Sequence, residues 1–299
     1  AEKNKVNLEF EAAVAGGIPI VRTIKEGLAT NKITKVYGIL NGTCNYILSQ
    51  MEKTKDSFKN VLKNAQKLGY AEPGNPKLDL NGYDALAKIK ILTSLAFNKK
   101  ISKSECLMEG IENIDYADIK IADQLNFRIK LLGITEIINN SIFERVHPCL
   151  VKKKSYIGNV DGVMNAVLVK GNAVGPTLYY GPGAGADATA SAVIADIIDI
   201  CRHLDTPKGN AVPALGFAAS ELQELPVLSI EEVTTAFYLR LSVEDKPGAM
   251  AAITKILADH GISIEAVQQK EPEQHGAKAQ VILLTDSIVE KSLLTAVDK

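Results

Sequence analysis

The apolar positions of the chain change texture twice. From Ile18 to about Ser49 they predict helix, turn, helix, with NGT (Asn41–Thr43) supplying cap-type residues ahead of NYILSQM. A helix over about Ser57–Leu68 is expected next, closed by Gly69. After a turn-rich stretch comes a long helix from about Tyr83 to Phe97. Ser102-x-x-Glu105 has capping-box spacing and predicts a short helix, and a further one is expected over about Ile119–Leu132. Residues 1–9 read as the tail of a helix leading into a short strand.

Residues 134–180 alternate or run β-branched between Gly, Asn and Pro, which predicts about four strands. GPGAGADATASAVIADIIDICRHL then reads as a glycine loop opening a long apolar helix, and Pro213–Val227 as a linker. The last 65 or so residues form a separate unit. FYLRLSV puts Phe237, Leu239, Leu241 and Val243 on one side. DKPG turns into a helix with Met250, Ile253, Ile256 and Leu257 on one face, ending near Gly261. ISIEAV and QVILL follow as strands, and Ser287-x-x-Glu290 is expected to cap a second helix. The order βαββα is that of a ferredoxin-like sandwich without its last strand. Both ends of the chain look cut.

Composition narrows the classes. The 299 residues suit two domains, and 46% hydrophobic with 23% charged residues is ordinary soluble composition. A net charge of −1 calls for neither nucleic acid nor an anionic membrane. No apolar run approaches spanning length, and AEKNKVNLEFEAAV lacks the apolar core of a signal peptide, so a cytoplasmic protein is expected. Cys44, Cys106, Cys149 and Cys201 are scattered without C-x-x-C, which predicts reduced thiols rather than a metal site or disulfides. The sequons at Asn41 and Asn139 carry no meaning without a secretory signal.

Charge then singles out Glu72–Lys88, EPGNPKLDLNGYDALAK. At 100° per residue, Asp84, Lys88, Ile91 and Leu95 share a stripe, and Ala85, Ile89, Leu92 and Ala96 lie beside it. Lys90, Thr93 and Ser94 fall on the opposite, water-facing side. Asp84 and Lys88 could be an ordinary i,i+4 surface pair, worth a few tenths of a kcal/mol. The apolar stripe instead favours a polar cluster of Lys88 with Asp84, Asp79 and Glu72, able to move a proton at a carbonyl and hold an ammonium group.

AQKLGYAEPGNPKLDLNGYDALAK closely resembles the signature of homoserine dehydrogenases, and so do EAAVAGGIPIV, NGTCNYIL and GPGAGADATASAV. The resemblance covers essentially residues 1–217 and extends to the bacterial form with a C-terminal ACT domain. It implies an α+β fold in three parts. A catalytic/substrate domain, its sheet covered by helices, spans 1–217, with 181–205 returning to the nucleotide domain. A linker spans 218–234, and a truncated ferredoxin-like ACT domain spans 235–299. The implied reaction is reduction of L-aspartate 4-semialdehyde to L-homoserine by NAD(P)H. Lys88 would be the proton donor, with Glu72, Asp79 and Asp84 binding substrate. Gly181, Gly183 and Gly185 would approach the dinucleotide, NADP or NAD, with Asn41 and Thr43 near the nicotinamide. Glu11 and the carbonyls of Val14, Gly16 and Ile18 would ring a sodium ion. On the residues alone, both glycine segments could equally be plain turns. His147 reads as structural.

The resemblance also implies a homodimer or higher and a threonine effector at the ACT domain, where EDKPGAM (Glu244–Met250) would expose helix N-terminal N–H groups or merely link strand to helix. The family's Rossmann unit is largely absent, since no G-x-G-x-x-G turn follows a first strand. With it go the residues that choose NAD or NADP, so an inactive fragment is expected. The competing reading is an amino-acid-binding regulatory protein whose non-catalytic scaffold carries the ACT unit.

Overall fold

A computed structural model describes residues 1–4, 6–101, 106–204, 212–270 and 278–299. The expected short helix at Ser102–Glu105 lies outside them. The chain divides into Ala1–Val227 and Leu228–Lys299, a division that falls inside the expected linker.

The helical elements of the first unit are α1 (Ile20–Arg22, continued by a π turn over Thr23–Gly27), α2 (Gly42–Thr54), α3 (Phe58–Lys67), α4 (Lys77–Leu80), α5 (Tyr83–Phe97), α6 (Tyr116–Gln124) and α7 (Ala186–Arg202). Its strands are β1 (Ile33–Ile39), β2 (Phe127–Ile138), β3 (Ser141–Lys152), β4 (Met164–Gly171) and β5 (Gly175–Pro182). They form one antiparallel sheet in the order β3-β2-β1-β4-β5. Asn139 and Asn140, both at positive φ, make the tight β2–β3 turn.

One face of the sheet packs on α2 and α5. The core there includes Val36, Leu40, Ile47, Met51, Ile89, Leu92 and Leu131. The opposite face buries Ile39, Leu132 and Ala166 and leaves Tyr37, Ile134, Leu168 and Leu178 only partly covered.

Four local expectations are corrected. ITKVYGI, which lies ahead of the NGT turn in a stretch expected to be helical, is a strand. Gly38 lets β4 approach, since a Cβ there would lie 2.2 Å from the Ala166 carbonyl oxygen. The helix expected to reach Leu132 stops at Gln124, where Asn126 turns left-handed. The continuous run IKLLGI hid a strand because β2 is central, with residues on both faces buried. The C-terminal half of α5 is buried all round. Thr93 and Ser94 face protein, the Thr93 hydroxyl lying 2.6 Å from Glu144 Oε1 and 2.8 Å from the Ile89 carbonyl. Lastly, residues 6–9 form no strand; a single 3₁₀ turn, Glu2–Asn4, precedes them.

The second unit contains β6 (Thr234–Thr235), β7 (Tyr238–Val243), α8 (Ala249–Asp259), β8 (Ile264–Lys270), β9 (Ala279–Thr285), β10 (Ile288–Val289) and α9 (Glu290–Val297). The three long strands pair antiparallel in the order β7-β9-β8, with Leu257, Val281, Leu283 and Leu293 in the core beneath both helices. This is the expected βαββα. Ser287 does not cap the last helix. Ile288 and Val289 instead pair with Thr235 and Thr234, and the Glu290 N–H donates to the Val233 carbonyl.

Candidate active site

The site starts at the N-terminus of α2. Asn41 is its cap, and its Oδ1 accepts the Cys44 N–H at 2.8 Å. That bond leaves Nδ2 to donate to Asp79 Oδ1 at 2.8 Å and Asp84 Oδ2 at 2.9 Å. Asp79 comes from α4 and Asp84 from the first turn of α5. One helical turn on, Lys88 Nζ donates to Asp84 Oδ2 at 2.7 Å and to the Leu40 carbonyl at 3.0 Å. An ammonium group has three N–H donors, so one remains without an acceptor among the described residues. The Lys88 side chain is 20% exposed.

Two carboxylates this close repel unless a donor lies between them; the Asn41 amide fills that role, and the Lys88 ammonium offsets the charge of Asp84. Burial, reinforced by Asp79, Asp84 and Glu112, pushes the Cys44 thiol well above its ordinary pKa. It therefore stays protonated and donates to the Asp79 carbonyl at 3.2 Å. Thr43 Oγ1 donates to the Tyr70 carbonyl at 2.7 Å and Tyr46 packs on Tyr70, which tethers the GYA segment to α2.

Of the expected carboxylates, Asp84 meets Lys88 directly, Asp79 joins through the Asn41 amide, and Glu72 stays apart. Glu72 is exposed on a loop held by Gln66 Nε2 to its backbone carbonyl, and its side chain has no polar partner among the described residues. The bridging role of Asn41 and the Leu40 carbonyl had no sequence signal beyond the cap position itself.

A second group of segments meets around the glycines. Gly185, at φ 111°, is the N-cap of α7. Gly183 is pinned on two sides. A Cβ on Gly16 would lie 2.5 Å from the Gly183 carbonyl oxygen, and a Cβ on Gly183 would lie 2.1 Å from the Asn165 amide. Gly17 N–H donates to the Pro182 carbonyl. The EAAVAGG and GPGAG segments therefore form one backbone-to-backbone contact, with Gly181 paired to Asn165 in the β4–β5 ladder.

Glu11 belongs to the same assembly. Its carboxylate accepts the Val21 and Arg22 N–H groups, both at 2.8 Å, and its own N–H donates to Asp196 Oδ2 at 2.9 Å. Burial raises its pKa, with those two N–H groups pulling the other way and Asp196 adding to the rise. Val14, Gly16 and Ile18 are buried beside it. Both Glu11 carboxylate oxygens and the Ile18 carbonyl already accept backbone N–H groups, from Val21, Arg22 and Ile20. Among the described residues no three of His, Cys, Asp and Glu converge on a metal position.

Comparison with known proteins gives a consistent picture. The pattern of the family Homoserine dehydrogenase matches residues 19–198, and that of the ACT domain matches 237–299. The homoserine dehydrogenase of Neisseria gonorrhoeae is 48% identical over 99% of this chain and 68% of its own length. That of Pseudomonas aeruginosa is 44% identical over the same shares. The crystal structure of a homoserine dehydrogenase from Thiobacillus denitrificans superposes with a TM-score of 0.89 at 48% identity, over 96% of this chain and 65% of that one. The chain thus spans about two thirds of the length of these relatives.

Proposed function

The chain belongs to the homoserine dehydrogenase family and carries an ACT domain, and on that premise we propose that it forms the substrate site for NAD(P)H-dependent reduction of L-aspartate 4-semialdehyde to L-homoserine. The observation that carries this is Lys88, held by Asp84 and the Leu40 carbonyl with one N–H to spare. The dinucleotide, when bound, supplies hydride to the aldehyde carbon. Lys88 stabilises the negative charge arriving on the oxygen and gives it a proton, so that C=O becomes CH–OH and Lys88 is reprotonated from water. Asp84 holds Lys88 in place. Asp79, fixed by Asn41, is free on its second oxygen to take the substrate ammonium.

Gly181, Gly183 and Gly185, with the first-turn N–H groups of α7, would hold the dinucleotide's phosphates. Thr43 and Asn41 would lie near its nicotinamide. The exposed apolar face of α7 (Val193, Ile194, Ile197, Ile198) is where a nucleotide-binding domain would rest. Glu11 with the carbonyls of Val14, Gly16 and Ile18 would take sodium. The half-covered sheet face around Tyr37, Ile134, Leu168 and Leu178 suits a homodimer. Among the described residues no helix is long and apolar enough to cross a membrane, which supports a cytoplasmic enzyme. At the ACT unit, α8 begins at Gly248 with φ 90° and no side-chain cap, leaving N–H groups for the carboxylate of threonine. At φ 90° a side chain is strained, so Gly248→Val distorts that turn and should weaken inhibition by millimolar threonine.

Calorimetry tests the central reading. Homoserine should bind the chain, and Lys88→Ala should abolish binding with the circular dichroism unchanged. Threonine binding without homoserine binding would leave a regulatory protein on an inert scaffold.

A further inference from the structure

We infer that Asn165 recognises the carboxamide of the nicotinamide ring; the inference deepens the proposed function and rests on it. Asn165 sits in β4, 1% exposed, yet its Oδ1 has no hydrogen-bond partner. A buried acceptor left unpaired is costly, and native structures keep few of them without a use. Asn45 is a control within the same neighbourhood. Equally buried, its amide donates to the carbonyls of Val160, Gly162 and Met164, while its Oδ1 accepts from Lys130. The fold can satisfy an asparagine here, and it leaves Asn165 unsatisfied.

The place of Asn165 says what it waits for. Its amide lies against Gly183, where a Cβ would come within 2.1 Å, and its Oδ1 lies 3.6 Å from the Cβ position of Gly42. Gly183 belongs to the loop proposed for the dinucleotide. Gly42 follows Asn41, which holds the two carboxylates of the substrate cluster. Asn165 therefore lies at the joint between the cofactor loop and the substrate helix, where the reactive ring of a hydride carrier must sit. Its neutral acceptor matches an N–H donor that carries no charge. The carboxamide of nicotinamide offers that donor, and a carboxylate in the same position would set acceptor against acceptor.

Three proteins test this: the 299-residue chain, Asn165→Leu and Asn165→Ala. Leu keeps the branched shape without the orphan acceptor, and Ala makes no new contact with Gly183. NMR titrations would compare nicotinamide mononucleotide with nicotinic acid mononucleotide, and homoserine with both absent. The wild type should prefer the amide by about tenfold or more, and both variants should lose that preference while still binding homoserine. Asn165→Leu should also raise the ligand-free unfolding midpoint by ~2–4 °C, which a residue serving only structure would not do. An undiminished preference in both variants, or a wild type indifferent to amide versus acid, overturns the role of Asn165 alone if homoserine still binds. If homoserine does not bind the wild type either, the proposed function falls and takes this inference with it.

Discussion

Two lysines of the first unit are held by the same parts and end differently. Lys88 has a carboxylate (Asp84), a backbone carbonyl (Leu40) and, behind the carboxylate, an asparagine of α2 (Asn41). Lys130 has a carboxylate (Asp161 at 3.2 Å), a carbonyl (Val160 at 2.6 Å) and an asparagine one turn further along α2 (Asn45 at 3.1 Å). In the second case all three donors are spent and the residue is 1% exposed. In the first, one donor is left over. The comparison teaches that charge and burial do not mark a working lysine. An unspent donor beside open space does, and Lys130, for all its burial, is a bolt between α2, β2 and the loop after Val160.

The largest expected effect tests the working side. In a protein extended to the length of its relatives, Lys88→Ala should cut turnover by ~10²–10⁴ and leave the denaturant midpoint almost unmoved. Near-normal turnover would remove Lys88 from the reaction.

The reverse is expected of Lys130→Met. It strands Asn45 Oδ1 without a donor and leaves the Val160 carbonyl with the Asn45 amide alone, so stability should fall by ~2–4 kcal/mol in urea unfolding. Homoserine affinity per folded molecule should be unchanged. A catalytic defect at full stability would put Lys130 on the wrong side of the comparison.

A smaller effect extends the contrast to a third enclosed base. Burial, with Arg145 nearby, lowers the His147 pKa to about 4 against a partly opposing bond to the Pro148 carbonyl. The unfolded chain takes up a proton near pH 6.5 that the folded one refuses until about 4. Stability from this group is therefore present above 6.5, is lost as pH falls towards 4 and levels off below, by at most ~3 kcal/mol. His147→Gln should flatten that part of the stability curve relative to wild type. Parallel curves for the two proteins would mean that His147 titrates freely. The smallest effect expected concerns Thr43→Ala. It loses one neutral hydrogen bond to Tyr70, ~1 kcal/mol, and should loosen substrate binding a few-fold through the GYA loop.

How far these sites could be read ahead of the structure depends on whether local chemistry fixed them. Asp84 and Lys88 were legible because helical spacing alone aligns them. The βαββα unit was legible because β7 keeps its alternation and turn residues set off the rest, although the central β9 is buried almost throughout. β2 was not, because its middle is buried on both faces and loses the period of two, and neither was β1, whose residues fell inside a stretch read as helical. The solvent face assigned to Thr93 and Ser94 failed for a related reason. A hydroxyl that reaches a neighbouring acceptor can sit in a core, and polarity then no longer means water. Glu72 went the other way: proximity in sequence to Asp79 placed it in the cluster, and a loop with little core contact carried its side chain into solvent. Asn165 had only one outward sign, a polar residue at a buried strand position.

The contact between Gly16 and Gly183 has a consequence for how such a protein can drift. Most tight packing is negotiable, because a larger side chain at one position can be accommodated by a smaller one opposite. Here backbone meets backbone: the atom in the way of a Cβ on Gly16 is the carbonyl oxygen of Gly183, which every amino acid carries. No second-site substitution can make room, and at φ 45° a side chain at Gly16 is strained besides. Asn165 closes the other side of Gly183 with a side chain, so that side could give where the Gly16 side cannot. A side chain at Gly16 is refused outright, and any escape there has to move the whole loop at once.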